Sequence, residues 1–215
     1  MAAQARSGRV VWFFLFAWTC SILLGAALAY RVDARSATLK KLEQSGQLAT
    51  MSERQIADET RGGERLAQVT SIAKGVVGVP LQLGLGCLSL LALSWFLQGR
   101  LKGSAVAPVA SAALLPGALA DLIDALSAYR HAVIPPDGVP LGPRTLTAIA
   151  GVLGRPLAGP WAKLGEAFDL YSLWSAILLS FGLAAAASLP KKRAVVGTLV
   201  AWLCFRLLTR VAAGG

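Results

Sequence analysis

The sequence has little of what enzymes usually need. It contains one histidine, His131, and it lacks a phosphate-binding loop, a dinucleotide-binding glycine pattern, a zinc-protease motif and a serine-hydrolase elbow. Because no nucleophile pattern accompanies His131, which follows Arg130 at a predicted membrane edge, a solvated interfacial histidine is favoured over a general base. The sequence therefore predicts no catalytic residue, no cofactor and no enzyme activity.

Cysteine is also scarce. The three cysteines each lie in a different apolar run, with no histidine or acidic residue nearby: Cys20, Cys87 and Cys204. Zinc sites need several ligands at short spacing, so neither a metal site nor a disulfide framework is indicated. The three cysteines are predicted to be packing residues.

Charged residues make up only 15% of the 215 residues, apolar residues make up 55%, and the mean hydropathy is +0.60. An ordinary soluble domain has about 25% charged residues, so a polytopic membrane protein is favoured. A soluble protein would have to hide several helices of about 20 residues on all sides, which a domain of this size cannot do. The net charge of +10 does not indicate nucleic-acid binding, because lysine and arginine are spread through short loops and one mixed-charge segment.

Residues 168–213 are the clearest membrane segment. They form two apolar runs joined by a basic turn, residues 190–193, and the first run has no charge after Asp169. A helix rises about 1.5 Å per residue, so this run has the length that a hydrocarbon core of about 30 Å requires. The sequence predicts a membrane hairpin of spans four and five, residues 169–189 and 194–211.

Three more spans are predicted before this hairpin. Residues 10–30 are an uncharged run longer than the core of a secretory signal peptide, so retention as span one is favoured over cleavage. Residues 75–97 and 104–126 are predicted as spans two and three, and span three is interrupted by Pro108 and Pro116. Span two contains four glycines, which indicate either close helix packing or the general abundance of glycine in membrane helices: Gly75, Gly78, Gly84 and Gly86.

Two segments are predicted to lie in water. Residues 31–74 mix all four charged residue types and contain no run long enough to cross a membrane. Within them Ser52 and Gln55 have the spacing of a capping box, which predicts a helix start at about Glu53, and the glycine pair at 62–63 is expected to break that helix. The Pro- and Gly-rich residues 133–166 predict a loop with one short interfacial helix at 145–153.

Charge predicts the orientation of the five spans. Residues 1–9, 98–103 and 190–193 together hold seven Lys or Arg and no acid, so they are assigned to the cytoplasm, with the N-terminus inside and the C-terminus outside. The predicted fold is all-α, a polytopic transmembrane bundle of five helices. It comprises a cytoplasmic leader with span one (1–30), a charged extracytoplasmic helical segment (31–74) and a four-span membrane domain (75–215).

The spans and charges together predict a polar cluster near the outer leaflet. Asp121 and Asp124 share a helix face at the end of span three, Asp169 begins span four, and Arg206 and Arg210 share a face of span five. A charge at membrane depth is costly, so Arg206 is predicted to bond one of the three acids and hold spans three, four and five together. Replacing Arg206 or Asp169 by alanine should then destabilise the bundle equally. The alternative is that both arginines snorkel to the outer head groups.

The last two spans resemble a known family. Asp169, Tyr171, Trp174, Leu178 and Gly182, followed by a short basic turn and a Trp-containing last span, are similar to the C-terminal signature of the Yip-type family, named for interaction with Ypt/Rab GTPases and abundant in bacteria. The resemblance extends from about Met51 to the end of the chain. It implies a five-span bundle with a cytoplasmic N-terminus and no catalytic residues. Eukaryotic members act in vesicle trafficking, and some bacterial members accompany export transporters.

Two classes of function remain open. The first is a non-enzymatic accessory or scaffold subunit in a bacterial inner membrane, which contacts the lipid bilayer and binds other membrane proteins through small-residue helix faces. The family resemblance suggests an ABC-type export transporter as the partner, and a homo-oligomer is also compatible. The second is a small-solute or ion transporter that uses intramembrane carboxylates. The sequence contains no internal repeat that would point to alternating access.

Overall fold

The computed structural model describes residues 2–135 and 141–214; the chain is 81% helical, and the described residues contain no strand. This agrees with the predicted all-α class. The described residues form nine α-helices, with a short 3₁₀ turn, Gln47–Ala49, after the second: α1 (Ala2–Arg31), α2 (Ala34–Gln44), α3 (Glu53–Phe96), α4 (Gly103–Ala113), α5 (Leu115–Arg130), α6 (Leu146–Val152), α7 (Pro160–Ala167), α8 (Leu170–Ala186) and α9 (Lys191–Gly214).

Three helices among the described residues are long and apolar enough to cross a membrane. They are Val11–Arg31, Glu53–Phe96 and the continuous stretch Gly103–Arg130, which contains α4 and α5. Helix α8 is also apolar, but it has only 17 residues. The structure thus supports a membrane protein with three candidate spanning helices. The two further spans stay predictions.

The chain forms two compact units. The first contains the residues up to Ala17, Val79–Ala120 and the chain from Pro143 onward. The second contains Trp18–Gly78 and the described residues between Asp121 and Gly142. The predicted loop, residues 133–166, contributes residues to both units. Its residues 136–140 lie outside the described part of the chain.

In the second unit the predicted capping box is confirmed. The Ser52 amide donates to Gln55 Oε1 at 2.9 Å, and the Gln55 amide donates to Ser52 Oγ at 3.4 Å, so α3 begins at Glu53. The expected helix break at 62–63 is wrong, because α3 continues to Phe96. A Cβ at Gly63 would collide with the side chain of Thr38 in α2, so this glycine permits close packing instead of ending the helix.

The same unit holds a close crossing of α1 and α3. A Cβ on Gly25 would lie 2.6 Å from the carbonyl oxygen of Ser71, and one on Gly75 would lie 2.7 Å from that of Ser21. The Trp18 indole donates to the Val76 carbonyl at 2.7 Å beside this crossing. Gly75 therefore has the packing role that its position in span two suggested.

In the first unit α8 packs against both α4 and α9. A Cβ on Gly182 would collide with Val109, so this glycine sets the close approach of α8 to α4. The core of this unit contains six buried apolar residues that pack together: Leu90, Leu97, Val106, Ala110, Leu183 and Ala187.

Helix α8 ends earlier than the prediction for span four. Ser188 adopts a positive φ of 54°, and α9 begins at Lys191, so the chain turns at residues 187–190 and the three basic residues form the first turn of α9. The amides of Arg100 and Lys102 donate to the carbonyls of Ala187 and Ala186, which satisfies acceptors at the end of α8.

Two of the local predictions for spans and loops are confirmed, one is wrong and one helix was missed. One helix interruption falls at Leu114, two residues before Pro116, as expected for a residue that cannot donate to the preceding turn. The interruption predicted at Pro108 is wrong, because Pro108 lies inside α4. The predicted short helix is α6, whose N-cap Thr145 accepts from the Ala148 amide at 3.2 Å. Helix α7, which packs against α6, was not predicted.

Candidate functional site

The candidate site in the first unit contains the carboxylate of Asp169, which caps one helix and forms an ion pair with another. Asp169 is the N-cap of α8, and its Oδ1 accepts from the amides of Tyr171 at 2.9 Å and Ser172 at 3.3 Å. Its second oxygen, Oδ2, accepts from Arg206 Nη2 of α9 at 3.1 Å. One side chain thus holds the start of α8 and joins α8 to α9.

Ser172 completes this arrangement. Its hydroxyl donates to the Asp169 carbonyl at 3.0 Å and accepts from Arg206 Nη2 at 2.5 Å. The side chains of Arg206 and Asp169 are 30% and 26% exposed, so water screens their attraction only in part. A hydrogen bond between charged, partly buried partners contributes about 1.5–3 kcal/mol to stability.

The structure brings together two of the five residues of the predicted polar cluster. Arg206 pairs with Asp169, which was one of its three suggested partners. Asp121 and Asp124 belong to the second unit, where Asp124 is buried and accepts from the Gly142 amide at 2.7 Å. Arg210 lies in α9, and its side chain is outside the described part of the structure. A five-residue cluster that holds three spans together stays a prediction.

Ser172 was not predicted, although the sequence contained a signal for it. It lies three residues after Asp169 and so occupies the same helix face. Two residues of the family-like motif have visible roles, since the Tyr171 amide binds the capping carboxylate and Gly182 admits Val109. Trp174 is 46% exposed.

A cavity of about 950 Å³ lies beside the ion pair in the same unit. Its walls come from the C-terminal half of α3 and from α4, α8 and α9, and they are mainly apolar. Ser172, which binds Arg206, is part of the wall. The other wall residues with polar side-chain atoms are Gln82, Ser89, Trp95, Ser175, Thr198 and Trp202. This volume lies in the range of small-molecule sites, which is about 300–1,000 Å³.

Two residues that line the cavity each have a polar atom that is buried from solvent and has no hydrogen-bond partner among the described residues. These atoms are the hydroxyl of Thr198, a residue only 3% exposed, and the indole Nε1 of Trp202, one turn later on α9. Other buried helical hydroxyls bond their own helix, as Ser111 does to the Ala107 carbonyl and Ser180 to the Ile177 carbonyl. A buried polar group without a partner costs about 1–3 kcal/mol, so these two atoms need an explanation.

In the described part of the chain, no group of three or more His, Cys, Asp or Glu residues is placed to hold a metal ion. The ion pair and the wall hydroxyls can bind and position a molecule or a neighbouring helix. They can also fix the packing of α8 on α9.

No protein-family model, no curated protein and no solved structure matches the chain. The family resemblance of the last two helices therefore stays a prediction.

Proposed function

We propose that this chain is a non-enzymatic integral membrane protein that acts as an accessory or scaffold subunit of a membrane complex. In this proposal it has five spans in a bacterial inner membrane, a cytoplasmic N-terminus and an extracytoplasmic C-terminus. The Yip-type resemblance suggests an ABC-type export transporter as the partner. The observation that carries the proposal is a glycine on the exposed face of α3.

This glycine is Gly84. A Cβ added to it would meet nothing within 4 Å among the described residues, whereas Gly75 and Gly182 are packed against neighbouring helices. A glycine inside a helix costs about 1 kcal/mol relative to alanine, so its presence needs a compensating contact. Gly84 lies in an exposed apolar stripe formed by residues at helical spacing: Leu81, Gly84, Leu85, Leu88 and Leu91.

An exposed glycine within such a stripe lets the backbone of a second helix approach closely. Between membrane helices the hydrophobic effect is weak, and close packing over small residues is a main source of association. The stripe therefore offers a contact surface for a helix of another membrane protein, with Gly84 at its centre.

Affinity purification in a mild detergent tests the proposal. The unaltered protein should retain a stoichiometric membrane-protein partner, and Gly84→Ile should reduce that partner at least tenfold, because the new side chain holds the helices apart. Gly78→Ile is the matched control. Gly78 also has open space around its Cβ position, but it lies about 120° around the helix from Gly84. Recovery of the unaltered protein without a partner, or equal retention by both variants, contradicts the proposal.

The cavity beside the Arg206–Asp169 pair favours transport of a small solute or ion as the second candidate. Charged groups at membrane depth often mark a transport path. Reconstituted vesicles would then show solute or proton flux that Asp169→Asn or Asp121→Asn abolishes. Flux of this kind from a protein that purifies alone would replace the scaffold proposal.

Impermeant cysteine labelling tests the proposed orientation. In a background with all three native cysteines replaced, position 191 should react only from the cytoplasmic side, together with positions 100, 102, 192 and 193. Positions 40, 54 and 163 should react only from the opposite side. Labelling of position 40 from the cytoplasm would overturn the topology.

A further inference from the structure

We propose that α3 has a hinge at Pro80 and that the indole of Trp18 in α1 restrains it. Trp18 supplies the hydrogen bond that Pro80 cannot make, and loss of this bond lets α3 bend. The inference does not depend on the scaffold proposal, because every contact that supports it lies within this chain. Three observations support it: the missing donor, the replacement donor and the freedom of α3 around the proline.

The missing donor follows from the covalent structure of proline. In an α-helix the amide of residue 80 donates to the carbonyl of residue 76, but Pro80 lies inside α3 and has no N–H. The proline ring also crowds that carbonyl, and sharp helix kinks, above about 20°, usually occur at proline. The Val76 carbonyl therefore lacks its intrahelical donor, and α3 resists bending least at this turn.

The replacement donor comes from α1. The Trp18 indole, which can only donate, binds the Val76 carbonyl at 2.7 Å. This hydrogen bond thus falls on the carbonyl that Pro80 frees, and not on a carbonyl that already accepts within α3. The close crossing at Gly25 and Gly75 brings the two helix backbones near enough for this contact. Membrane helices tolerate proline where a neighbouring helix satisfies the freed group in this way.

The third observation concerns the freedom of α3 around Pro80. Glycines lie before and after the proline, and a Cβ on Gly78 or Gly84 would meet nothing within 4 Å among the described residues. The division of the chain into two compact units also falls at this turn, between Gly78 and Val79. A bend there breaks few contacts within either unit, so the hydrogen bond from Trp18 is the restraint that matters.

A cycle of two substitutions tests the replacement of the donor. Trp18→Phe removes the donor and keeps an aromatic ring, whereas Pro80→Ala gives residue 80 an amide that can bind the Val76 carbonyl. Unfolding by dodecyl sulfate in mixed micelles, followed by the remaining tryptophans, measures each variant. In the Pro80→Ala background, Trp18→Phe shows only the effect of the smaller ring. In the natural background it should raise the unfolding equilibrium constant about 2- to 12-fold more, as expected for one neutral hydrogen bond.

Local hydrogen–deuterium exchange separates a hinge from a general loss of stability. Trp18→Phe should speed exchange of the amides at 77–84 about fivefold, because this turn opens, and should leave residues 88–94 of the same helix unchanged. Adding Pro80→Ala should restore slow exchange. Trp12→Phe is the matched control, because Trp12 lies on the same helix and is 72% exposed, and it should change neither segment.

Distances between two spin labels measure the bend itself. In a background with all three native cysteines replaced, labels at Leu66 and Leu88 lie on exposed positions on either side of Pro80. Trp18→Phe should make the distribution of label distances about 1.5-fold wider, and Pro80→Ala in the same chain should narrow it again. The exchange and distance measurements on Trp18→Phe remain decisive if Pro80→Ala fails to fold.

Three results would overturn the proposal. Equal effects of Trp18→Phe on unfolding in both backgrounds would show that the indole does not replace the bond missing at Pro80. Uniformly faster exchange along α3 would show that the bond stabilises the protein as a whole. An unchanged width of the label distances would show that α3 does not bend when the bond is lost.

Discussion

Substitutions at Asp169 should cost different amounts, because this carboxylate both caps α8 and pairs with Arg206. Asp169→Asn keeps an oxygen that can accept from the amides of Tyr171 and Ser172, but it removes the charge. Asp169→Ala removes the cap as well. Arg206→Ala leaves the cap in place and leaves the carboxylate without its cation.

The magnitudes follow from these contacts. Loss of an N-cap costs about 1 kcal/mol. A charged hydrogen bond contributes about 1.5–3 kcal/mol and a neutral one about 0.5–1.5 kcal/mol. Because the side chains of Arg206 and Asp169 are partly exposed, the lower end of each range applies. We expect losses in the free energy of unfolding of about 1 kcal/mol for Asp169→Asn, about 2 for Arg206→Ala and about 3 for Asp169→Ala. In the Arg206→Ala background, Asp169→Asn should cost nothing further.

Unfolding in mixed micelles, driven by an increasing fraction of dodecyl sulfate and followed by tryptophan fluorescence, measures these values. Arg61→Ala is the control, because Arg61 lies 4.0 Å from Asp58 with both side chains at least 75% exposed, and an exposed pair of this kind contributes less than about 0.5 kcal/mol. Equal losses for Asp169→Asn and Asp169→Ala would refute the capping role. Additive losses in the double variant would refute the pairing.

Three local features give further predictions. Gly25→Ala places a Cβ 2.6 Å from a backbone oxygen of α3 and should cost about 1–3 kcal/mol in the same titration, whereas Gly62→Ala, in open space, should add up to about 1 kcal/mol. Ser52→Ala should cost about 1 kcal/mol and speed hydrogen exchange in the first turn of α3. Hydrogen bonds from the hydroxyl and amide of Ser36 lower the pKa of Asp33, so the stability of the α2 cap is present at neutral pH. This contribution to stability is lost as the pH falls below about 4 and through the lowered pKa of Asp33. An NMR titration of the Ser36 amide measures the loss.

Each of these has a result that contradicts it. A neutral Gly25→Ala would show that α1 and α3 can move apart without cost. Unchanged exchange in Ser52→Ala would show that other groups cap α3. An Asp33→Asn variant that retains the low-pH change at Ser36 would assign that change to a different group.

Local patterns allowed much of the fold to be predicted. The start of α3 depends on side chains three residues apart, and the start of α8 depends on one carboxylate and the two amides after it, so neither needs distant contacts. The interruption before Pro116 follows from the missing N–H of proline. Helix starts and interruptions of this kind are determined by a few consecutive residues.

Features that depend on a distant partner were missed or misjudged. The glycine pair at 62–63 has the composition of a helix break, but Gly63 is needed where Thr38 packs against α3. The sequence suggested equal losses for Arg206→Ala and Asp169→Ala, because it did not show that Asp169 also caps a helix. The spacing of Thr198 and Trp202 was visible, but the absence of partners among the described residues depends on the packing of four helices.

In the proposed topology the start of α9 lies at the membrane surface, where the charge of the lipid headgroups acts on its first turn. Its first turn contains Lys191, Lys192 and Arg193 and no acid, and the amides at a helix start carry a partial positive charge, so each cation weakens this turn by a few tenths of a kcal/mol. Anionic headgroups attract basic residues near the surface by about 1 kcal/mol each, which is enough to reverse the balance. The first turn of α9 should therefore be ordered over phosphatidylglycerol and frayed over phosphatidylcholine, so that the lipid composition sets the length of the helix.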